Sequence, residues 1–166
     1  MRNVSRILPL LPGIAMLSGC NNAAQKSNGQ NDQKPNIIYI FADDLGIGDL
    51  SCYGATKVST PNIDRLAGQG VQFTNAYATS ATSTPSRFGL LTGMYPWRQK
   101  NTGIAPGNSE LIIDTACVTM ADMLKDAGYA TGAVGKWHLG LGPKGGTDFN
   151  KQITPNAQSI GSVSYT

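Results

Sequence analysis

Histidine and cysteine are scarce in this 166-residue chain, which holds one histidine, His138, and three cysteines, Cys20, Cys52 and Cys117. Three cysteines cannot form a disulfide framework, and Cys52 and Cys117 carry no function that their spacing reveals. Charge is nearly balanced too. There are 13 basic against 10 acidic side chains, and removing Arg2 and Arg6 with the leader described below leaves 11 against 10. So small an excess, with no run of lysines or arginines, gives no electrostatic footprint for a polyanion, and no nucleic-acid partner is expected. The 20 glycines and 9 prolines follow no period while 40% of residues are apolar, which excludes collagen-like, coiled-coil and disordered chains. No internal repeat is present. No apolar run is long enough to cross a bilayer as a stable helix, because residues 7–17 are interrupted by Pro9, Pro12 and Gly13.

What the N-terminus does contain is a leader. Arg2 and Arg6 form a cationic region, residues 7–17 an apolar one, and Leu17-Ser18-Gly19-Cys20 follows directly. Small residues ahead of that cysteine resemble the lipobox of bacterial lipoproteins, although an ordinary cleaved signal peptide would also fit. The resemblance implies a signal peptide over 1–19, a lipidated Cys20, and an exported lipoprotein anchored to a membrane, in the periplasm or at the bacterial cell surface. Residues 20–34 are almost devoid of apolar side chains and read as a flexible tether.

From 35 to 166 strand-like and helix-like segments alternate. Ile37-Ile38-Tyr39-Ile40-Phe41 is a β-branched and aromatic run of the kind buried on both faces of a parallel sheet. Thr60-Pro61 is a cap followed by a first helical turn, and Gly70 closes that helix. Val71 to Tyr77 suggests a short strand, residues 85–91 and 118–127 two helices, and 129–135 a strand running into Lys136-Trp137-His138. This alternation predicts an α/β fold with helices on both faces of the sheet.

Three clusters can carry chemistry. Asp43-Asp44 ends the first strand, where open parallel sheets place their ligand sites, so the two carboxylates suit a hard divalent cation; an Asx turn or helix cap would use them equally well. Pro85 in a first helical turn puts Ser83 just ahead of a helix N-terminus, where free N–H groups favour an anion, and Arg87 lies one turn on; an N-cap serine beside a surface arginine is the plain alternative. If the last strand continues through Lys136-Trp137-His138, its period of two puts Lys136 and His138 on one face of a pocket; otherwise they are a surface lysine and a structural histidine. Gly140 to Gly146 with Lys144 lacks the strand-loop-helix setting of a phosphate loop and reads as a loop.

Together these residues resemble the N-terminal part of a type I sulfatase, of the arylsulfatase family in the alkaline phosphatase superfamily. Ser83-Thr84-Pro85-Ser86-Arg87 with Leu90-Leu91-Thr92-Gly93 matches the Cys/Ser-x-Pro-x-Arg motif, and Gly128-Tyr129-Ala130-Thr131 through Gly135-Lys136-Trp137-His138 matches the second motif. Pro35-Asn36-Ile37-Ile38 leading to Asp43-Asp44, and Thr60-Pro61-Asn62-Ile63-Asp64, match the usual opening. The resemblance covers roughly residues 34–146. It implies an alkaline phosphatase-like, mixed and mostly parallel sheet flanked by helices. It further implies Cα-formylglycine made from Ser83 by a formylglycine-generating maturation enzyme, Ca2+ held by Asp43, Asp44 and the modified Ser83, and Arg87, Lys136 and His138 as catalytic partners. The implied substrate is a sulfate ester, most naturally a sulfated carbohydrate.

One departure limits that expectation. The family's later metal ligands, an Asp-Asn pair, and a further lysine and histidine are not found, and Asp148-Phe149-Asn150 follows the second motif too closely to replace them. The chain is therefore expected to be an incomplete catalytic domain over 35–166, a truncated fragment of marginal stability and inactive alone. Two other classes stay open at this point: a phosphatase or phosphonate hydrolase using the unmodified hydroxyl of Ser83 or Thr84, and a non-enzymatic lipoprotein remnant.

Overall fold

A computed structural model describes residues 34–162 and 164–165. The leader over 1–19 and nearly all of the tether lie outside the described residues. The chain divides into two compact units, Met1–Ile40 and Phe41–Thr166. Of the first unit, residues 34–40 are described; they are exposed and carry no regular secondary structure.

In the second unit the helices are α1, Pro61–Gln69, α2, Ser83–Thr92, and α3, Met120–Asp126, with short 3-10 turns at Ile47–Asp49, Ser51–Tyr53, Pro96–Arg98 and Ala157–Ile160. Pro61 supplies the preset φ of a first turn, as its sequence position implies. Asp64, in that same turn, accepts Ser51 Oγ at 2.6 Å, the Cys52 amide at 2.9 Å and Thr60 Oγ1 at 3.0 Å, tying α1 to the Ser51–Tyr53 turn. In α2, Pro85 is the third helical residue and removes an N–H that has no intrahelical acceptor. Gly93, in the left-handed region at φ 66°, ends α2 by returning its amide to the Gly89 carbonyl at 2.9 Å. A capping box starts α3: Thr119 Oγ1 accepts the Asp122 amide at 3.2 Å and Asp122 accepts the Thr119 amide at 2.9 Å.

The core is a cluster of Phe88, Leu111, Ile113, Leu139 and Ile160, with Leu91, Met94 and Trp137 packed at its margin. Phe88 and its neighbours on the inner face of α2 fix the rotation of that helix. Gly89 meets Thr79 so closely that a Cβ would collide with the threonine side chain. No helix among the described residues is long and apolar enough to cross a membrane.

Strands are sparser than the sequence suggests. Among the described residues the sheet is one parallel pair, β1, Gly132–Ala133, against β2, Ser164–Tyr165, in the register Gly132 to Ser164 and Ala133 to Tyr165. The expected strands at 37–41 and 71–77 are irregular loops, and the one at 129–135 shrinks to two residues. The cause is the lack of ladder partners: Ile38 is 84% exposed in the first unit, and Val71 is 81% exposed in the second. A β-prone run becomes a strand only where a neighbour takes up its N–H and C=O groups. Gly135 at φ 111° and His138 at φ 54° then turn the chain out of extended geometry.

Candidate functional site

Three segments distant in sequence converge at the start of α2. Ser83 is its first helical residue rather than the residue ahead of it, because Thr82 keeps the extended cap conformation. The Ser83 hydroxyl donates to Asp43 Oδ1 at 2.8 Å, and Lys136 Nζ lies 3.2 Å from Ser83 Oγ and 2.6 Å from Asp43 Oδ2. Arg87, one turn along α2 on the same side, sets Nη2 3.2 Å from Asp43 Oδ1. Its Nη1 donates to the Lys136 carbonyl at 2.6 Å, and its guanidinium lies 5.7 Å from the centre of the Phe41 ring. Arg87 Nε is buried without a partner among the described residues, so this well-packed guanidinium retains donor capacity.

The electrostatics follow from the distances. The Lys136 ammonium first, and the Ser83 hydroxyl next, hold the Asp43 carboxyl down to about 2, against a smaller opposing effect of desolvation. Asp43 therefore stays ionised throughout the neutral range. Two cations face one carboxylate, which leaves the cluster attractive to an anionic group.

The remaining expected residues are placed differently. Asp44 has a left-handed φ of 56°, is exposed, and makes no hydrogen bond or ion pair among the described residues, so the structure does not bring it into the cluster. Lys136 and His138 do not share a strand face, since the left-handed His138 backbone breaks the alternation. His138 Nε2 lies 2.9 Å from the Ala105 carbonyl, which can only accept, so that nitrogen carries the proton; Nδ1 is buried without a partner among the described residues. The two residues nonetheless line one cleft of about 640 Å³. Thr84 is no nucleophile. It is fully buried, with Oγ1 donating to the His138 carbonyl at 3.0 Å and accepting the Ala105 amide at 3.1 Å. Cys52 and Cys117 are free thiols.

Sequence reasoning misses Thr84 as a tie, because a hydroxyl bonded to backbone leaves no pattern in the sequence. It also misses the loop around Ala105 that receives His138. Asp148, Phe149 and Asn150 fit no metal pattern, but the structure places them on the wall of the Lys136 cleft.

A hard divalent cation takes oxygen ligands, and the donors at this point are oxygens: the Asp43 carboxylate and the Ser83 hydroxyl, 2.8 Å apart, with Asp44 next in the chain. They fit such an ion in kind and supply part of its shell of about six to eight oxygens.

Comparison with known proteins places the chain among its relatives. The family described as Sulfatase matches residues 35–160. The chain is 91% identical over 161 residues to an N-acetylgalactosamine-6-O-sulfatase of Bacteroides thetaiotaomicron, covering 97% of this chain and 32% of that protein. It is 50% identical over 115 residues to human arylsulfatase A, covering 67% of this chain and 22% of that protein. A solved Bacteroides thetaiotaomicron structure, from work on the metabolism of multiple glycosaminoglycans, superposes with a TM-score of 0.77 at 92% identity, over 80% of this chain and 28% of that one. The crystal structure of Ps i-CgsB in complex with k-i-k-neocarrahexaose gives a TM-score of 0.68 at 38% identity, again over 80% of this chain and 28% of that one. The chain thus spans about a third of the first relative and about a fifth of the second. The shared architecture is the α/β fold expected from the alternation of elements, in the alkaline phosphatase-like form that the resemblance implies, represented here by its N-terminal portion. Asp43, Ser83, Arg87 and Lys136 converge inside the segment that the family match spans, and this chain belongs to the sulfatase family.

Proposed function

We propose that this chain forms the sulfate-binding side of an enzyme that hydrolyses sulfate esters of carbohydrates, with residue 83 as the reacting position. The observation that carries the reading is the cluster itself: Ser83 Oγ lies within 2.8 Å of Asp43 and 3.2 Å of Lys136, on a helix N-terminus that also presents Arg87. The overall reaction adds water across the ester, breaking a bond to sulfur and releasing an alcohol and sulfate. Free N–H groups in the first turn of α2, Arg87 and Lys136 provide positive potential for the anionic sulfo group. Lys136 Nζ, beside the residue 83 oxygen, stabilises negative charge that develops there, and Arg87 holds the Lys136 backbone in place. His138 lines the same cleft, while Nδ1, its one uncommitted ring nitrogen, is buried.

An unmodified serine is a weak nucleophile, and conversion of Ser83 to Cα-formylglycine would supply, once hydrated, two hydroxyls on one carbon. Asp43 and the residue 83 oxygen would hold Ca2+ on this side, with Asp44 as the further ligand that the family resemblance adds, and the ion would supply Lewis-acid polarisation of a sulfate oxygen. The substrate proposal is a sulfated carbohydrate, supported by the relative described as an N-acetylgalactosamine-6-O-sulfatase and by the neocarrahexaose bound to Ps i-CgsB. Residues 1–20 support export and lipid anchoring through Cys20 as part of the same proposal.

The test is peptide mapping of the chain co-expressed with a radical formylglycine-generating enzyme, followed by titration with inorganic sulfate. The expected result is a residue 83 lighter than serine and sulfate binding that K136M weakens. A residue 83 left as serine in the competent host, or sulfate binding that K136M leaves unchanged, would sink the assignment for this chain.

A further inference from the structure

We infer that Phe41 is a positioning residue of this site, whose ring face holds the Arg87 guanidinium in the plane from which Arg87 aligns Asp43 and the Lys136 backbone. The inference rests on the sulfatase reading for what the aligned groups bind. It adds a residue that the sequence presents only as the end of a β-prone run.

Arg87 is held from three directions. Nη1 donates to the Lys136 carbonyl at 2.6 Å, Nη2 lies 3.2 Å from Asp43 Oδ1, and Cζ stands over the Phe41 ring, 5.7 Å from its centre. All N–H groups of a guanidinium lie in one plane, so the two nitrogen contacts fix Arg87 within that plane. They leave it free to tilt about the line through Nη1 and Nη2. A ring set over Cζ opposes that tilt, because its attraction acts across the plane. Phe41 and Asp43 lie two residues apart, so one short segment presents both the ring and the carboxylate to the same guanidinium.

The setting makes a ring face effective. The Arg87 side chain keeps 13% of its surface exposed and Phe41 is half-buried, and attraction between a cation and a ring strengthens as water is removed from the cation. Charge is crowded as well. Lys136 Nζ lies 2.6 Å from Asp43 Oδ2, so one carboxylate serves two cations that repel each other. The negative face of the ring attracts the second cation without bringing a net charge. A second carboxylate in its place would cancel the positive potential that draws a sulfo group, whereas a neutral ring holds Arg87 and leaves that potential intact.

Graded fluorination of residue 41 tests this, since mono-, di- and trifluorophenylalanine nearly keep the shape of the ring while weakening its negative face in steps. The full chain carrying Phe41, each fluorinated ring, F41Y or F41L is titrated with inorganic sulfate by calorimetry. Solvent exchange of the Arg87 Nε proton, which is buried in the native chain, is followed by NMR. Sulfate affinity should fall in steps along the fluorinated series, by about fivefold for the trifluoro ring and for F41L, and F41Y should stay close to native. The Arg87 proton should exchange faster along the same series. Exchange that stays flat across the fluorinated series overturns the inference, as does a flat sulfate affinity in a chain that binds sulfate; Phe41 is then packing alone. A native chain that binds no sulfate, with exchange still graded by fluorination, leaves the positioning role standing and overturns the sulfatase reading instead.

Discussion

The Thr84 hydroxyl donates to the His138 carbonyl at 3.0 Å across 54 residues of sequence, and it accepts the Ala105 amide at 3.1 Å. One buried group thereby pins the Lys136 to His138 segment and the 102–105 loop to the turn that begins α2. T84V keeps the volume and orphans both backbone groups, so it should cost about 2 kcal/mol, within the range for one or two unpaired buried groups. T84S keeps the hydroxyl and loses a methyl, and should cost about 1 kcal/mol. Urea unfolding of the two variants checks this, and equal losses in both would assign the effect to packing.

Lys136 controls the ionisation of Asp43. K136M removes the ammonium 2.6 Å from Oδ2, so the Asp43 carboxyl should climb from about 2 toward its ordinary value of 3.8. A carboxyl group lowered on folding stabilises the fold above its unfolded value and loses that contribution as pH falls through the folded one. The acid limb tied to Asp43 should therefore move upward in pH in the variant. Carbon-13 NMR titration of the side-chain carboxyl reads it directly. An Asp43 that still titrates near 2 in K136M would transfer the effect to Ser83 and Arg87.

The helices were readable from sequence because their signals are local. Pro61 after Thr60, Pro85 after Ser83, and Gly70, Gly93 and Gly128 past the helix ends mark caps and stops that need no tertiary partner. Strands depend on a neighbour, and residues 37–41 and 71–77 have the β-prone composition without a ladder among the described residues. For the site, the motifs single out Asp43, Ser83, Arg87 and Lys136, and the structure brings those side chains together over long sequence separations. Three details escaped the sequence because they are set by backbone geometry. The left-handed backbone at Asp44 and His138 redirects two expected site residues, and the burial of Thr84 follows from where α2 packs.

Close packing at Gly89 holds α2 in place. A methyl there would meet the Thr79 hydroxyl, Cβ and Cγ2 together, so G89A should destabilise by about 1–3 kcal/mol despite the better helix propensity of alanine. Adding T79A removes two of the three colliding atoms and should restore part of the loss. Thermal unfolding of the single and double variants measures the coupling between the two positions. Additive losses would mean that α2 shifts away from Thr79 without cost.

Asp64 provides the second pH-dependent contribution, far from the site. Its carboxyl is held below its ordinary 3.8, chiefly by the Ser51 hydroxyl, with Thr60 and the Cys52 amide assisting against desolvation. Because the folded value is the lower one, the stabilisation is complete above the unfolded value near 3.8 and declines as pH falls further. D64N abolishes this titration and takes the charge from all three hydrogen bonds that Asp64 accepts, so the variant should have a lower melting temperature at pH 7. The difference between native and variant should narrow steadily from about pH 4 downward, where protonation makes the native carboxyl resemble the amide. A gap between the two melting curves that stays constant down to pH 2 would show that Asp64 stabilises α1 by shape and not by charge.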